Sequence, residues 1–445
     1  MHKHFQHTSI RRHLRLSFIS ALLLCFGFTS LAAAQTRPEP FRFGEVDLEF
    51  LDQIKQLDKK FGDRGLVYRE PELNAFVDRV GRSLLKPEET LENVVWQFRV
   101  MRNPAVNAFA LANGSIYVFT GLLARVENEA QLVGVLAHEI IHVRNRHSYL
   151  SYRSYRKKVL TVNILSAAAG ILGGGLEVGM AAQFMLALSV IGYSRELEKE
   201  ADLDGAQLMT TSPYDPKEMI AALDCLRQKY EVDLDGEPFY GDHPKTNARI
   251  AYLNEWLSKS ATKRETESAG LSKEDYQKNV AEVTRHNIQL AIDAGLYRTA
   301  TTLGKRLVAT QPELASNLTA LADAYTALGP RTLDPLAEEK SGQGKKEARK
   351  RRSKLTLQEE ERTLAATTAG QERQKINRAE AEKLYRRATE LEPNYPLAWR
   401  GLGELFEKQK QSSQSIEAYR KYLELQPAAM DRLMIMRRIK TLESK

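Results

Sequence analysis

His138-Glu139-Ile140-Ile141-His142 lies within a run whose apolar residues, Leu132, Val135, Leu136, Ile140 and Val143, recur three or four apart. That period predicts one helix from about Asn128 to Arg146. Histidines four residues apart share a helical face one turn apart, so two ring nitrogens can reach a single Zn²⁺ at about 2.0–2.1 Å. Glu139 sits beside them and is the candidate general base, placed to take a proton from an attacking water and return it to a leaving amine. A fold built around such a pair must keep this helix rigid and bring a third ligand from elsewhere, with one position left for substrate.

The third ligand is sought in Ser194-Arg195-Glu196-Leu197-Glu198-Lys199-Glu200-Ala201-Asp202. Glu198 and Asp202 are four apart and share a helical face. One could bind the metal while the other accepts the second N–H of a ligand histidine and fixes its tautomer. Spacing alone leaves Glu196 and Glu200 in competition, and also leaves open a solvated acidic helix.

Of the 445 residues 42% are hydrophobic and 27% charged, which excludes an intrinsically disordered chain. Residues 1–34 read as a secretory signal peptide. Lys3, Arg11, Arg12 and Arg15 precede a short apolar core from Phe18 to Phe28, and Ala32-Ala33-Ala34 supplies a cleavage site. Leu24 before Cys25 is too large for a lipoprotein signal. Removing the leader takes away half of the net charge of +8 and leaves Cys225 as the single cysteine, so no intrachain disulfide is available. Cys225 itself reads as a small buried hydrophobe.

Glu45 to about Leu85 reads as helical, with Pro71 tolerated in a first turn. Val94–Val100 reads as a strand, and Phe109–Phe119 as two strand segments around an Asn113-Gly114 turn. Residues 159–192, rich in small and apolar side chains, suggest two helices around Gly173-Gly174-Gly175, a buried core or a lid over a cleft rather than a membrane hairpin. Further on, Tyr385, Leu391 and Pro393 recur as Tyr419, Leu425 and Pro427, each 34 residues later, and Pro312, Leu321 and Tyr325 repeat the spacing of Pro393, Leu402 and Phe406. That period belongs to helix-turn-helix repeats of the tetratricopeptide type. A charged insertion at about 331–371, with eight basic residues and one acid from Lys340 to Lys354, reads as solvated. It lacks the interleaved aromatics of a nucleic-acid surface, so no nucleic acid is expected.

His138–His142, the segment from Ser194 to Asp202 and Asn107-Ala108-Phe109-Ala110 together resemble the M48 family of gluzincin peptidases, over roughly residues 45–257. The resemblance implies one Zn²⁺ per chain held by His138, His142 and Glu198, with Glu139 and Asp202 as catalytic residues, Asp202 either supporting a ligand or donating a proton. It implies that Asn107–Leu123 is an active-site edge to which an extended substrate adds as a strand. His243-Pro244 with Arg249 matches a further family feature, and His243 becomes a candidate regulatory or transition-state residue. His147, five residues past His142, is expected to point away from the metal, and His286 to be structural.

The expected architecture is therefore α+β and mostly helical. A metallopeptidase domain with a small sheet at 35–260 precedes an α-solenoid of tetratricopeptide-like repeats at 270–445. The combination resembles periplasmic M48 proteases of outer-membrane protein quality control. Expected partners are protein substrates, unassembled outer-membrane proteins and their assembly machinery, with peripheral membrane contact. The alternative is a chaperone or scaffold acting through its repeats, with a dormant or conditional site.

Overall fold

The structure, a computed structural model, describes residues 41–87, 89–158, 193–232, 246–260, 270, 272–333 and 357–444. The leader at 1–34, the apolar stretch 159–192, His243 and the basic cluster Lys340–Lys354 lie outside the described residues.

Helices α1 (Glu45–Asp63) and α2 (Pro71–Arg82) come first. The sequence reads this region as one helical stretch, but the chain breaks at Gly65, whose φ of 68° ends α1. The second helix restarts where Glu70 accepts the Glu72 and Leu73 amides and Pro71 occupies the first turn. Strands β1 (Gln97–Met101), β2 (Ala108–Ala110) and β3 (Ser115–Phe119) form one sheet in the order β1-β3-β2. β1 runs parallel to β3, with Gln97 opposite Ser115, and β2 runs antiparallel to it, with Phe109 opposite Tyr117. The reversal falls on the expected Asn113-Gly114 turn, where Gly114 adopts a φ of 96°. Asp58 on α1 accepts hydrogen bonds from Asn113, Ser115 and Tyr117, which fixes that helix against β3.

After β3 come the short α3 (Thr120–Arg125), then α4 (Glu129–Arg144), α5 (His147–Lys158), α6 (Arg195–Thr210), α7 (Lys217–Val232) and α8 (Thr246–Lys259). Asn128 caps α4 by accepting the Gln131 amide at 2.8 Å. The stripe Leu132, Leu136 and Ile140 meets Val77 and Val80 of α2 and Val100, Ile116 and Val118 of the sheet in a continuous core. α4 is thus buried on nearly every side, as a helix carrying a precisely held site requires.

The C-terminal part is a succession of helices: α9 (Lys273–Asn279), α10 (Ala281–Asp293), α11 (Tyr297–Thr310), α12 (Ala315–Leu328), α13 (Leu357–Ala365), α14 (Thr368–Leu391), α15 (Pro396–Lys408), α16 (Ser412–Leu425) and α17 (Arg432–Glu443). From α10 on, most helices pack chiefly against their sequence neighbours, although α12 is followed in space by α14. Both 34-residue copies of the tyrosine, Tyr385 and Tyr419, are buried in the stack. Helices α9, α10 and α11 also pack on the N-terminal part: α10 lies against α3, Arg306 of α11 donates to the carbonyls of Ala124, Arg125 and Val126 at the end of α3, and Tyr276 of α9 donates to that of Leu123. His286, expected to be structural, stacks edge-on to Tyr68. Cys225 is half-buried and donates to the Arg125 carbonyl.

The fold as a whole is mostly helical with one small three-stranded sheet among the described residues. Gly401 tests how tightly the stack is packed, because a Cβ placed there falls 2.3 Å from the Tyr385 ring. In an open helix Gly→Ala stabilises by about 1 kcal/mol, whereas overpacking costs about 1–3 kcal/mol. The Tyr385 ring is buried and its hydroxyl is tied to Asp323, so it cannot swing aside. Gly401→Ala is expected to lose about 1–2 kcal/mol in urea unfolding; unchanged or raised stability would show that the ring yields.

Candidate metal centre

His138 and His142 lie on the buried face of α4, with their Nε2 atoms 3.0 Å apart. Glu198 reaches them from α6, one carboxylate oxygen 3.6 Å from His138 Nε2 and the other 3.5 Å from His142 Nε2. Tetrahedral ligation with metal–nitrogen bonds of about 2.05 Å requires donor separations of about 3.3 Å. The observed spacings bracket that value, and all three side chains are buried. The trio can therefore hold a metal ion, and its donor set of two imidazoles and a carboxylate suits zinc.

Burial separates the glutamates on α6. Ser194 caps the helix, and the residues facing the core are Glu198, Ala201, Asp202, Gly205 and Ala206. Glu198 is 1% exposed, whereas Glu196 and Glu200 face solvent. A close crossing makes this possible, since a Cβ at Gly205 would stand 3.2 Å from the His138 amide nitrogen.

Asp202 lies one turn beyond Glu198 and accepts from His138 Nδ1 at 2.9 Å. This leaves His138 Nε2 as the atom that faces His142 and Glu198. Arg249 on α8 forks onto both Asp202 oxygens at 2.6 and 2.8 Å, and the Tyr252 hydroxyl donates to the same carboxylate. Burial alone would raise the Asp202 carboxyl pKa, but Arg249 and His138 outweigh it and hold the group well below the usual carboxylate range. The Tyr252 hydroxyl is pushed upward by burial and by the Asp202 charge.

Glu139 is buried and lines a cavity of about 50 Å³ shared with Asn107, Ala108, His138, Asp202 and Met219. β2, an edge strand among the described residues, begins at Ala108, which lines the same cavity as Glu139.

His147 departs from the sequence reading. A continuous helix would carry it away from the ligands, but α4 stops at Arg144 and Arg146 takes a left-handed φ of 59°. The turn restarts the chain as α5 with His147 aimed back, its Nδ1 2.9 Å from His142 Nδ1. Burial pushes the His147 imidazole toward its neutral form against the pull of Glu200. Tyr193 stacks on the His142 ring at 3.8 Å. Nothing in local periodicity signals Tyr193 or Tyr252, which come from distant segments.

Two imidazoles from one helix, a carboxylate from another and a buried glutamate beside them define the metal-dependent hydrolase class whose site is carried on an H-E-x-x-H helix. Residues 67–257 match Peptidase family M48, so the chain carries a Peptidase M48 domain. Mitochondrial metalloendopeptidase OMA1 of Schizosaccharomyces pombe is 32% identical over 234 residues, covering 51% of this chain and 66% of that protein. A putative beta-barrel assembly-enhancing protease of Vibrio cholerae is 29% identical over 41% of this chain and 39% of that one. The beta-barrel assembly-enhancing protease of Escherichia coli K12 is 25% identical over 41% and 38%. The chain thus matches about two thirds of the length of the first and less than two fifths of the other two. Yeast Tom70 aligns with 92% of this chain and 76% of its own at 14% identity, but its TM-score of 0.16 is too low to signify a shared fold.

The Asp202–Arg249 pair gives a stability prediction independent of metal. Arg249→Met leaves a buried carboxylate without its cation, which costs about 3–5 kcal/mol. Adding Asp202→Asn removes the stranded charge and should restore much of the loss in thermal unfolding of metal-free protein. Additive losses in the double variant would show that the two side chains do not compensate each other.

Proposed function

We propose that this protein is an exported zinc metalloendopeptidase that cleaves misfolded or stalled proteins, with Glu139 as general base and His138, His142 and Glu198 as zinc ligands. The observation that carries the reading is the buried His138–His142–Glu198 trio, spaced for one ion, with Glu139 lining the same cavity as His138. When bound, zinc supplies Lewis acidity toward the substrate carbonyl and acidifies the attacking water.

The chain's own groups do the rest. Glu139 accepts the proton of the attacking water and returns it to the departing amine. Asp202, kept ionised by Arg249, orients His138 and has no proton to give near neutrality. The edge of β2 offers backbone groups to an extended polypeptide, so a substrate added as a further strand lies across Glu139. His243, outside the described residues, is proposed to regulate the site or stabilise its transition state.

The helical stack after α9 is read as tetratricopeptide-like repeats that recruit clients or partners. This rests on the 34-residue period and on the burial of both tyrosine copies. Placement in the periplasm, and a role with unassembled outer-membrane proteins and their assembly machinery, draw on the leader at 1–34 and on relatives named for β-barrel assembly. No helix among the described residues is long and apolar enough to cross a membrane; any membrane contact is proposed to be peripheral.

Glu139→Gln tests the assignment, compared with wild type on an unfolded protein substrate with zinc measured in both. Both are expected to hold about one zinc per chain, with cleavage by the variant reduced at least 10²–10⁴-fold. Zinc without cleavage in either protein would favour the scaffold reading, and absence of zinc from both would overturn the metal site.

A further inference from the structure

Metal-ligating histidines nearly always donate their second ring N–H to a fixed acceptor, commonly a carboxylate or a backbone carbonyl. His138 follows that pattern through Asp202. At His142 the group facing the second nitrogen is another imidazole: His147 Nδ1, 2.9 Å from His142 Nδ1. Both rings are completely buried. We propose that His147 is the positioning residue for His142, acting as a neutral hydrogen-bond acceptor that fixes the tautomer and ring orientation of the ligand; this rests on the reading of His138, His142 and Glu198 as a zinc site.

Proton bookkeeping sets the direction. Two nitrogens at hydrogen-bond distance need one proton between them. His142 presents Nε2 to His138 and Glu198, so as a ligand it carries its proton on Nδ1 and donates. His147 must then accept through Nδ1 and carry its own proton on Nε2. That atom is buried and makes no hydrogen bond in the structure, and its nearest anionic neighbour is Glu200 Oε2 at 3.7 Å. The Glu200 side chain is half-exposed, so a small rotation closes the gap and completes a chain from His142 through His147 to the surface carboxylate.

The local backbone is built for this contact. The left-handed turn at Arg146 reverses His147 toward the site, and the Arg146 guanidinium anchors the turn on the Glu92 carbonyl at 2.8 Å. On the other side Tyr193 covers the His142 ring, its hydroxyl bonded to Ser148 on α5. His142 is therefore held at its face by Tyr193 and at its edge by His147.

The test is zinc affinity, measured on metal-free protein by competition with a chromophoric chelator. His147→Leu keeps the volume apolar and removes the acceptor, while His147→Asn places an oxygen near the former Nδ1. His147→Leu is expected to weaken zinc binding about 10–100-fold, with His147→Asn recovering most of the loss. A Leu variant that binds like wild type, or an Asn variant as impaired as Leu, would overturn the proposal. Wild type that fails to bind zinc would instead overturn the metal-site reading on which it rests. Should either variant fail to fold, ¹⁵N spectra of zinc-loaded wild type decide the matter. His142 protonated at Nδ1 and His147 protonated at Nε2 are expected, and His147 protonated at Nδ1 would refute the assignment.

Discussion

A fully buried carboxylate persists as an anion only where fixed partners replace its water, and Asp202 has three of them: the Arg249 guanidinium, the Tyr252 hydroxyl and His138 Nδ1. These partners arrive on two other helices, so the single charge ties α4, α6 and α8 together at the point where the ligands converge. Such a network is a poor source of net stability, because taking both charges out of water costs about as much as their attraction returns. What it provides is discrimination. A shift of α6 along α4 by one turn would strand Arg249 and Asp202 together, so the register that brings Glu198 to the two histidines is strongly favoured over its neighbours.

Van der Waals packing enforces the same register. Gly205 lets α6 approach the backbone of α4 at His138, and the apolar stripe of α4 is locked into the sheet and α2. The two effects are complementary: packing sets the distance between helices, and the ionic network sets their rotation and slide. The histidines then need no metal to find their relative position, since Asp202 holds one ring, and Tyr193 and His147 hold the other.

Much of this is legible in sequence because it is periodic. The apolar stripe of α4, the Asn113-Gly114 reversal and the recurring tyrosines follow from spacings that any helix or hairpin must obey. The choice among Glu196, Glu198 and Glu200 was not legible from spacing, because only the packing of α6 onto α4 decides which face is buried, and resemblance to a family had to supply it. His147 was misread for a related reason. Extrapolating the α4 period through residue 146 assumes a right-handed backbone, and a left-handed arginine gives no compositional warning, unlike the glycine usually found in such turns. Tyr252 is invisible to local patterning because its role depends on where α8 docks.

The helical stack bears on the site through α3. This short helix follows β3 without a break, and its last carbonyls end on Arg306 of α11. Burial pushes the Arg306 guanidinium pKa downward, the direction expected of a cation taken out of water. β3 in turn pairs with β2, and Ala108 of β2 and Leu122 of α3 line the same cavity as Glu139. The Arg306 guanidinium and the β3–β2 ladder thus connect α11, through α3, to the strand that shares a cavity with Glu139. Helices α10 and α11 dock directly on the short helix that follows the sheet, and Leu122 of that helix lines the cavity that also holds Glu139.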